Sequence, residues 1–283
     1  MTILVFGKTG QLARELAAQD GVTCLGREQA DLSDPAICAD VIRAHAPAAV
    51  INAAAYTAVD RAEDEEALAN VINGDAPGAM ARACAEIGIP FVTVSTDYVF
   101  DGSGDVAWQP GDAAAPLNAY GRSKWLGEQA VRAAGGAYAI LRCSWVVSAH
   151  GANFIKTMLR LGAERDALTI VADQIGAPTP ARAIALACLE IARQLAADGG
   201  KAGTYHLAGA PHCSWADFAR EIFDQAGVAC AVEDIPTSAY PTPAARPLNS
   251  RLDCHILETV FGLSQPDWRQ GLTDILKDLG EVS

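Results

Sequence analysis

Short apolar runs at residues 3–6, 22–25, 49–52, 91–95 and 138–142 alternate with longer stretches of helical periodicity at 11–18, 35–44, 65–87 and 120–133. The runs are too short for helices, and their regular alternation with helical segments predicts β-α-β units and a parallel sheet. Helix entries carry their own signals. Asp34 before Pro35 sets a capping side chain ahead of a proline at the first helical position, with Ser33 a second capping candidate. Gly88 offers a stop before the strand that begins at Phe91. Beyond about residue 145 the pattern loosens into short helices, isolated strands and proline-bearing segments such as Gly176-Ala177-Pro178-Thr179-Pro180 and Ser238-Ala239-Tyr240-Pro241-Thr242-Pro243.

In a doubly wound sheet, ligands sit beyond the carboxyl ends of the strands, so the loops after Phe6, Leu25, Asn52, Ser95 and Arg142 should line one cleft. The first of these loops is Gly7-Lys8-Thr9-Gly10-Gln11-Leu12-Ala13, a G-x-x-G-x-x-A run opening a helix. Its glycines let backbone N–H groups approach a pyrophosphate, and the helix start adds positive partial charge. Ala13 stands where a third glycine is common and is still small enough for close helix packing. The expected fold is α/β, a Rossmann-type doubly wound parallel sheet with a smaller C-terminal substrate lobe. Residues 1–145 and part of 146–210 would form the dinucleotide-binding domain, and the remainder of 146–283 the lobe.

Strand two ends at Leu25-Gly26-Arg27, where an acidic residue would favour NAD; Arg27 suits a 2′-phosphate and hence NADPH, with NADH possible. An exposed arginine without a ligand is the alternative at that position. Asp31, Leu32 and the small run Ala53-Ala54-Ala55 after Asn52 suit contacts to adenine and to the nicotinamide half.

Composition narrows the partners. The 283 residues are 51% apolar and 19% charged, ordinary for a soluble globular protein, and the net charge of -13 would repel nucleic acid. The eight cysteines are dispersed without metal-ligand spacing, and neither a signal-peptide pattern nor a membrane-length apolar run is present. A cytoplasmic protein without nucleic-acid or membrane partners is expected.

Tyr120-Gly121-Arg122-Ser123-Lys124 places a phenol and an ammonium one helical turn apart, a pair that by itself is common on surface helices. Here it follows Ser95-Thr96-Asp97-Tyr98-Val99-Phe100, which sets a hydroxyl at the end of strand four. A lysine beside a tyrosine favours phenolate and can also grip ribose hydroxyls.

With the glycine loop, Asn52-Ala53-Ala54-Ala55-Tyr56-Thr57-Ala58-Val59-Asp60, Asp173-Gln174-Ile175-Gly176-Ala177-Pro178-Thr179 and Arg246-Pro247-Leu248-Asn249-Ser250, the chain resembles the extended short-chain dehydrogenase/reductase family. Within that family it is similar, over essentially its whole length, to the dTDP-4-dehydrorhamnose reductases. The resemblance implies a catalytic triad of Thr96, Tyr120 and Lys124. It implies cofactor contacts from Gly7, Thr9, Gly10, Gln11, Leu12, Arg27, Asp31, Leu32, Ala53, Ala54, Ala55 and Thr57, together with Tyr120 and Lys124. A dTDP-keto-sugar would meet Thr96, Asp97, an aromatic wall at Trp145, and Arg246 as a phosphate contact, though a solvated arginine beside Pro247 is an equal alternative.

The rivals are a nucleotide-sugar epimerase or dehydratase of the same fold, and a non-catalytic NADP-binding regulatory subunit. Family dehydratases carry an Asp-Glu pair after the threonine, whereas Asp97 is followed here by Tyr98, which favours simple reduction. Some family members form dimers bridged by a metal on three glutamates. The matching positions here are Glu15, Arg182 and Asp278, and an arginine cannot ligate, so no metal and a monomer or weak homodimer are expected.

Overall fold

The computed structural model describes residues 1–282. Five strands, β1 (Ile3–Phe6), β2 (Val22–Leu25), β3 (Ala49–Asn52), β4 (Phe91–Thr96) and β5 (Tyr138–Cys143), are followed by the short β6 (Val146–Val147), β7 (Ala167–Val171), β8 (Ile175–Gly176) and β9 (Thr179–Pro180). A later strand, β10 (Gly203–Leu207), joins the first five in a six-stranded sheet of order β10-β5-β4-β3-β1-β2. Every pairing in that sheet is parallel. The strand order reverses between β1 and β3, which puts the expected ligand crevice beyond Phe6 and Asn52.

Alternation within each strand feeds two cores. Ile3, Val5, Ile51 and Leu141 pack with Leu12 and Leu16 of α1 (Gln11–Ala17) and with Ile184, Cys188 and Ile191 of α7 (Ala181–Ala197). Leu4, Phe6, Val50, Phe91 and Ile140 pack on the other face, against α2 (Pro35–His45), α4 (Ala76–Glu86) and α5 (Ala119–Ala134) through Ile42, Met80, Cys84 and Val131. As the sequence predicts, Asp34 caps α2, accepting from the amides of Ala36 and Ile37 at 3.1 and 3.2 Å. A third cluster unites α6 (Phe154–Glu164), α8 (Trp215–Ala226) and α10 (Trp268–Leu279) through Ile155, Met158, Phe218, Ile222, Trp268 and Leu276. Near it run three two-stranded ladders: β6 with β9, β7 with β12 (Ala231–Ile235), and β8 with β11 (Cys213–Ser214). The helix α9 (His255–Phe261) returns to the first core through Leu257 and Phe261.

One predicted element is divided. The stretch 65–87 is not a single helix but α3 (Glu66–Asn70), a wide π turn over Val71–Asp75, and α4. Pro77 has no N–H to give to the carbonyl four residues earlier, which weakens the ladder at Asn73. The widened turn directs the Asn73 side chain inward. It accepts from the Tyr56 amide at 2.8 Å and donates to the Tyr56 carbonyl at 3.0 Å and to the Ser123 hydroxyl at 2.9 Å, tying the loop after β3 to α5.

Beneath α5 the sheet carries a polar rung that the apolar pattern hides. Ser95, Arg142 and His206 are register partners on β4, β5 and β10, and all are buried. His206 Nδ1 donates to the Trp108 carbonyl (3.0 Å) and Nε2 accepts from Arg142 Nη1 (3.3 Å), a partner set that requires a neutral ring. Burial first, and the Arg142 charge second, push its pKa down to about 3. An unfolded chain takes up this proton below about pH 6.5, whereas the folded chain refuses it until far lower, so the folded state loses stability as pH falls through that window. The difference in unfolding free energy between wild type and His206→Gln is expected to shrink from pH 7 to pH 4. A difference constant across urea titrations at these pH values would refute the assignment.

Candidate active site

Beyond the carboxyl ends of the strands lies a cleft of about 1100 Å³. Its lining includes Gly7, Thr9, Gly10, Gln11, Leu12, Arg27, Asp31, Leu32, Ala53, Ala54, Ala55, Thr57, Thr96, Asp97, Tyr120, Lys124 and Trp145. Of the residues expected from sequence to touch cofactor or substrate, Arg246 alone is not among those lining it.

At one end of the cleft the chain leaves β1 through Gly7, whose φ is +119°, a conformation closed to side-chain-bearing residues. A Cβ there would lie 3.3 Å from the Ala53 carbonyl carbon, so the glycine also lets the loops after β1 and β3 approach each other. Gly10 caps α1 without a side-chain hydrogen bond, and a Cβ on it would meet nothing within 4 Å, leaving the helix start open. Arg27 is largely exposed and lies 3.6 Å from Asp31, while Lys8, not singled out from sequence, lies 3.7 Å from Glu28. Small residues, open amides and two cations in this order suit an extended phosphate-bearing ligand, and the donor set fits a dinucleotide.

Deeper in, Asn118 caps α5 by accepting from the Gly121 amide at 2.8 Å, so Tyr120 and Lys124 leave the first turns of that helix. Thr96 stands at the end of β4; its hydroxyl accepts from the Tyr98 amide at 3.2 Å and donates to Asp97 at 3.1 Å. Burial raises the Tyr120 phenol above its ordinary pKa, against the opposing influence of the Thr96 hydroxyl. Lys124 is buried, donates to the Val94 carbonyl at 2.7 Å, and is brought down to about 8 by desolvation. Burial therefore outweighs the lowering expected of Tyr120 from Lys124, whose ammonium gives one of its three donors to the Val94 carbonyl. Asp97, also fully buried, is raised to about 6 by desolvation, and one of its oxygens has no partner.

Trp145 has a φ of +45°, unusual for a bulky residue, and its indole stacks on Trp215 at 3.7 Å and 15°. Trp215 escaped the sequence reading because it opens α8, in the half where periodicity is weak. Arg246 instead binds Asp60 at 2.8 Å, leaving Nη1 buried and unpartnered. Away from the cleft, Arg182 reaches Glu15 at 3.2 Å and Asp278 at 2.8 Å. Among the described residues no helix is long and apolar enough to cross a membrane.

Known proteins resemble this chain over nearly its whole length. A dTDP-4-dehydrorhamnose reductase from Burkholderia thailandensis is 45% identical, with 99% of each chain covered. The solved structure of a dTDP-4-dehydrorhamnose reductase from Clostridium acetobutylicum superposes with a TM-score of 0.92 at 35% identity, covering 99% of this chain and all of that one. That of the enzyme from Bacillus anthracis, in complex with NADP, gives 0.90 at 34%, covering 98% of this chain and all of that one. The family profile described as the RmlD substrate binding domain matches residues 1–281, and the chain belongs to that family.

Proposed function

We propose that this chain reduces the C4 carbonyl of dTDP-4-dehydro-L-rhamnose with NADPH, giving dTDP-L-rhamnose. The observation that carries the reading is the meeting of the Thr96 hydroxyl, the Tyr120 phenol and the Lys124 ammonium in one cleft with the glycine loop. Relatives bearing that activity in their names match nearly the whole chain. The glycine loop from Gly7 to Gly10, with Arg27, would hold NADPH, which when bound would supply the hydride for the carbonyl carbon.

Tyr120 holds the proton that the carbonyl oxygen takes up, and its raised pKa keeps that proton in place until negative charge develops on the substrate. The Thr96 hydroxyl can turn its hydrogen from Asp97 to the same oxygen. Lys124 sets a positive charge one turn from Tyr120, within the part of the cleft suited to ribose hydroxyls. Arg27, on the cleft lining, suits a 2′-phosphate, and Trp145 suits the sugar face. A dehydratase needs a base after Asp97; Tyr98 occupies that position, packed edge-on to Tyr120 at 5.6 Å, and burial raises its own pKa.

The test is consumption of NADPH, followed by absorbance, on adding the dTDP-4-keto-6-deoxy sugar to the purified chain, with NADH run in parallel. Sustained turnover with accumulation of the reduced sugar is expected. Tight cofactor binding without turnover would instead make the chain a regulatory subunit and end the proposal.

A further inference from the structure

We infer that Gln11 is a positioning residue that couples the cofactor loop to the substrate wall, so that NADPH and the nucleotide sugar bind cooperatively. The inference rests on the reductase reading and adds to it an energetic link between the two ligand sites. Gln11 is the first residue of α1, directly after Gly10, so its backbone belongs to the glycine loop. Its side chain turns instead to a segment 135 to 142 residues further along. Nε2 donates to the Val146 carbonyl at 3.2 Å, and Oε1 accepts from Ser148 Oγ at 3.1 Å and from Asn153 Nδ2 at 2.9 Å.

Each of those partners anchors something at the cleft. Val146 directly follows Trp145, whose left-handed backbone has to be imposed by its surroundings. Ser148 is buried and accepts from the His150 amide at 3.0 Å, shaping the turn that leads to Gly151 and Ala152 on the cleft lining. Asn153 caps α6 through the Lys156 amide at 3.2 Å. A single carboxamide thus fastens the indole-bearing strand, the rim of the cleft and a helix start to the loop that faces the pyrophosphate. A ligand that orders either side orders the other, and the second ligand to arrive has less freedom left to remove.

The experiment measures the affinity of dTDP-L-rhamnose by calorimetry with and without saturating NADPH, a pair in which both partners are reduced and no hydride can pass. Wild type is expected to show at least about fivefold tightening, reciprocated when the order of addition is reversed, as linkage requires. In Gln11→Leu the factor is expected to fall below about twofold. Ser148→Ala, which removes one of the three bonds from the opposite side, should at least halve the wild-type factor and carries the test if Gln11→Leu fails to fold. A purely structural glutamine would lower the melting temperature and leave the factor unchanged. Wild type that binds both ligands without coupling, or variants that keep the wild-type factor, would overturn the inference alone. Wild type that binds neither ligand would overturn the reductase reading and this inference with it.

Discussion

Tyr120→Phe is expected to lower the turnover number by about 10²- to 10⁴-fold, the usual contribution of a positioned general acid. The change removes one oxygen and nothing else. The ring is held edge-on against Tyr98 at 5.6 Å, and the helix that carries it is fixed by the Asn118 cap, so phenylalanine keeps the packing. Because the phenol is raised by burial, it is protonated throughout the neutral range. The loss should therefore fall on kcat rather than on KM, as for a group whose contribution is made in the transition state. Steady-state rates at several substrate concentrations decide the matter. A variant that retains a rate within about tenfold of wild type would mean that another group, or water, delivers the proton.

The parts of this site that could be read from sequence are those fixed by local rules. Gly7, Ala53, Thr96 and Trp145 follow strand ends whose apolar runs are unmistakable, and a parallel sheet gathers such positions into one crevice. Tyr120 and Lys124 are linked by helical spacing alone. What stayed hidden depends on pairing between distant segments. Nothing near Gln11, which the family resemblance marks as a cofactor contact, announces that its carboxamide also reaches residues 146 to 153. Trp215 joins the aromatic wall only because α8 folds back against the strand carrying Trp145. The division of 65–87 was half visible: Pro77 is in the sequence, but the partners that reward the inward turn of Asn73 are Tyr56 and Ser123, the latter fifty residues away. The pairing of β10 beside β5 is equally non-local, and with it the polar rung that supports α5.

That rung sets the largest expected effect on stability: Glu128→Ala should cost about 3–5 kcal/mol, the penalty for leaving a buried partner uncompensated. Glu128 lies one turn beyond Lys124 on α5 and is almost wholly buried, as is Arg142. Arg142 grips both carboxylate oxygens, at 2.9 and 2.7 Å, while Ser95 donates at 2.6 Å and Arg132 at 2.8 Å. Truncation strands the Arg142 guanidinium between the sheet and the helix, with the Pro110 carbonyl (3.3 Å), neutral His206 and the Phe100 ring (4.9 Å) as its remaining company. Double replacement by Glu128→Leu and Arg142→Met is expected to be milder than the single truncation, since the Arg142 guanidinium is then not left buried without its partner. Burial alone would raise the Glu128 pKa, but the hydrogen bond and charge of Arg142, with Ser95 and Arg132, outweigh it and hold the carboxyl below its ordinary value. A depressed carboxylate stabilises the fold fully above the unfolded value of about 4.3 and loses that contribution as pH falls through the folded one. The gap between wild type and Glu128→Ala should accordingly be full at pH 7 and close in strong acid. Urea unfolding at pH 7 giving a gap under about 1 kcal/mol would show that the ion pair is not what pins α5, and with it Tyr120 and Lys124, to the strand that presents Thr96.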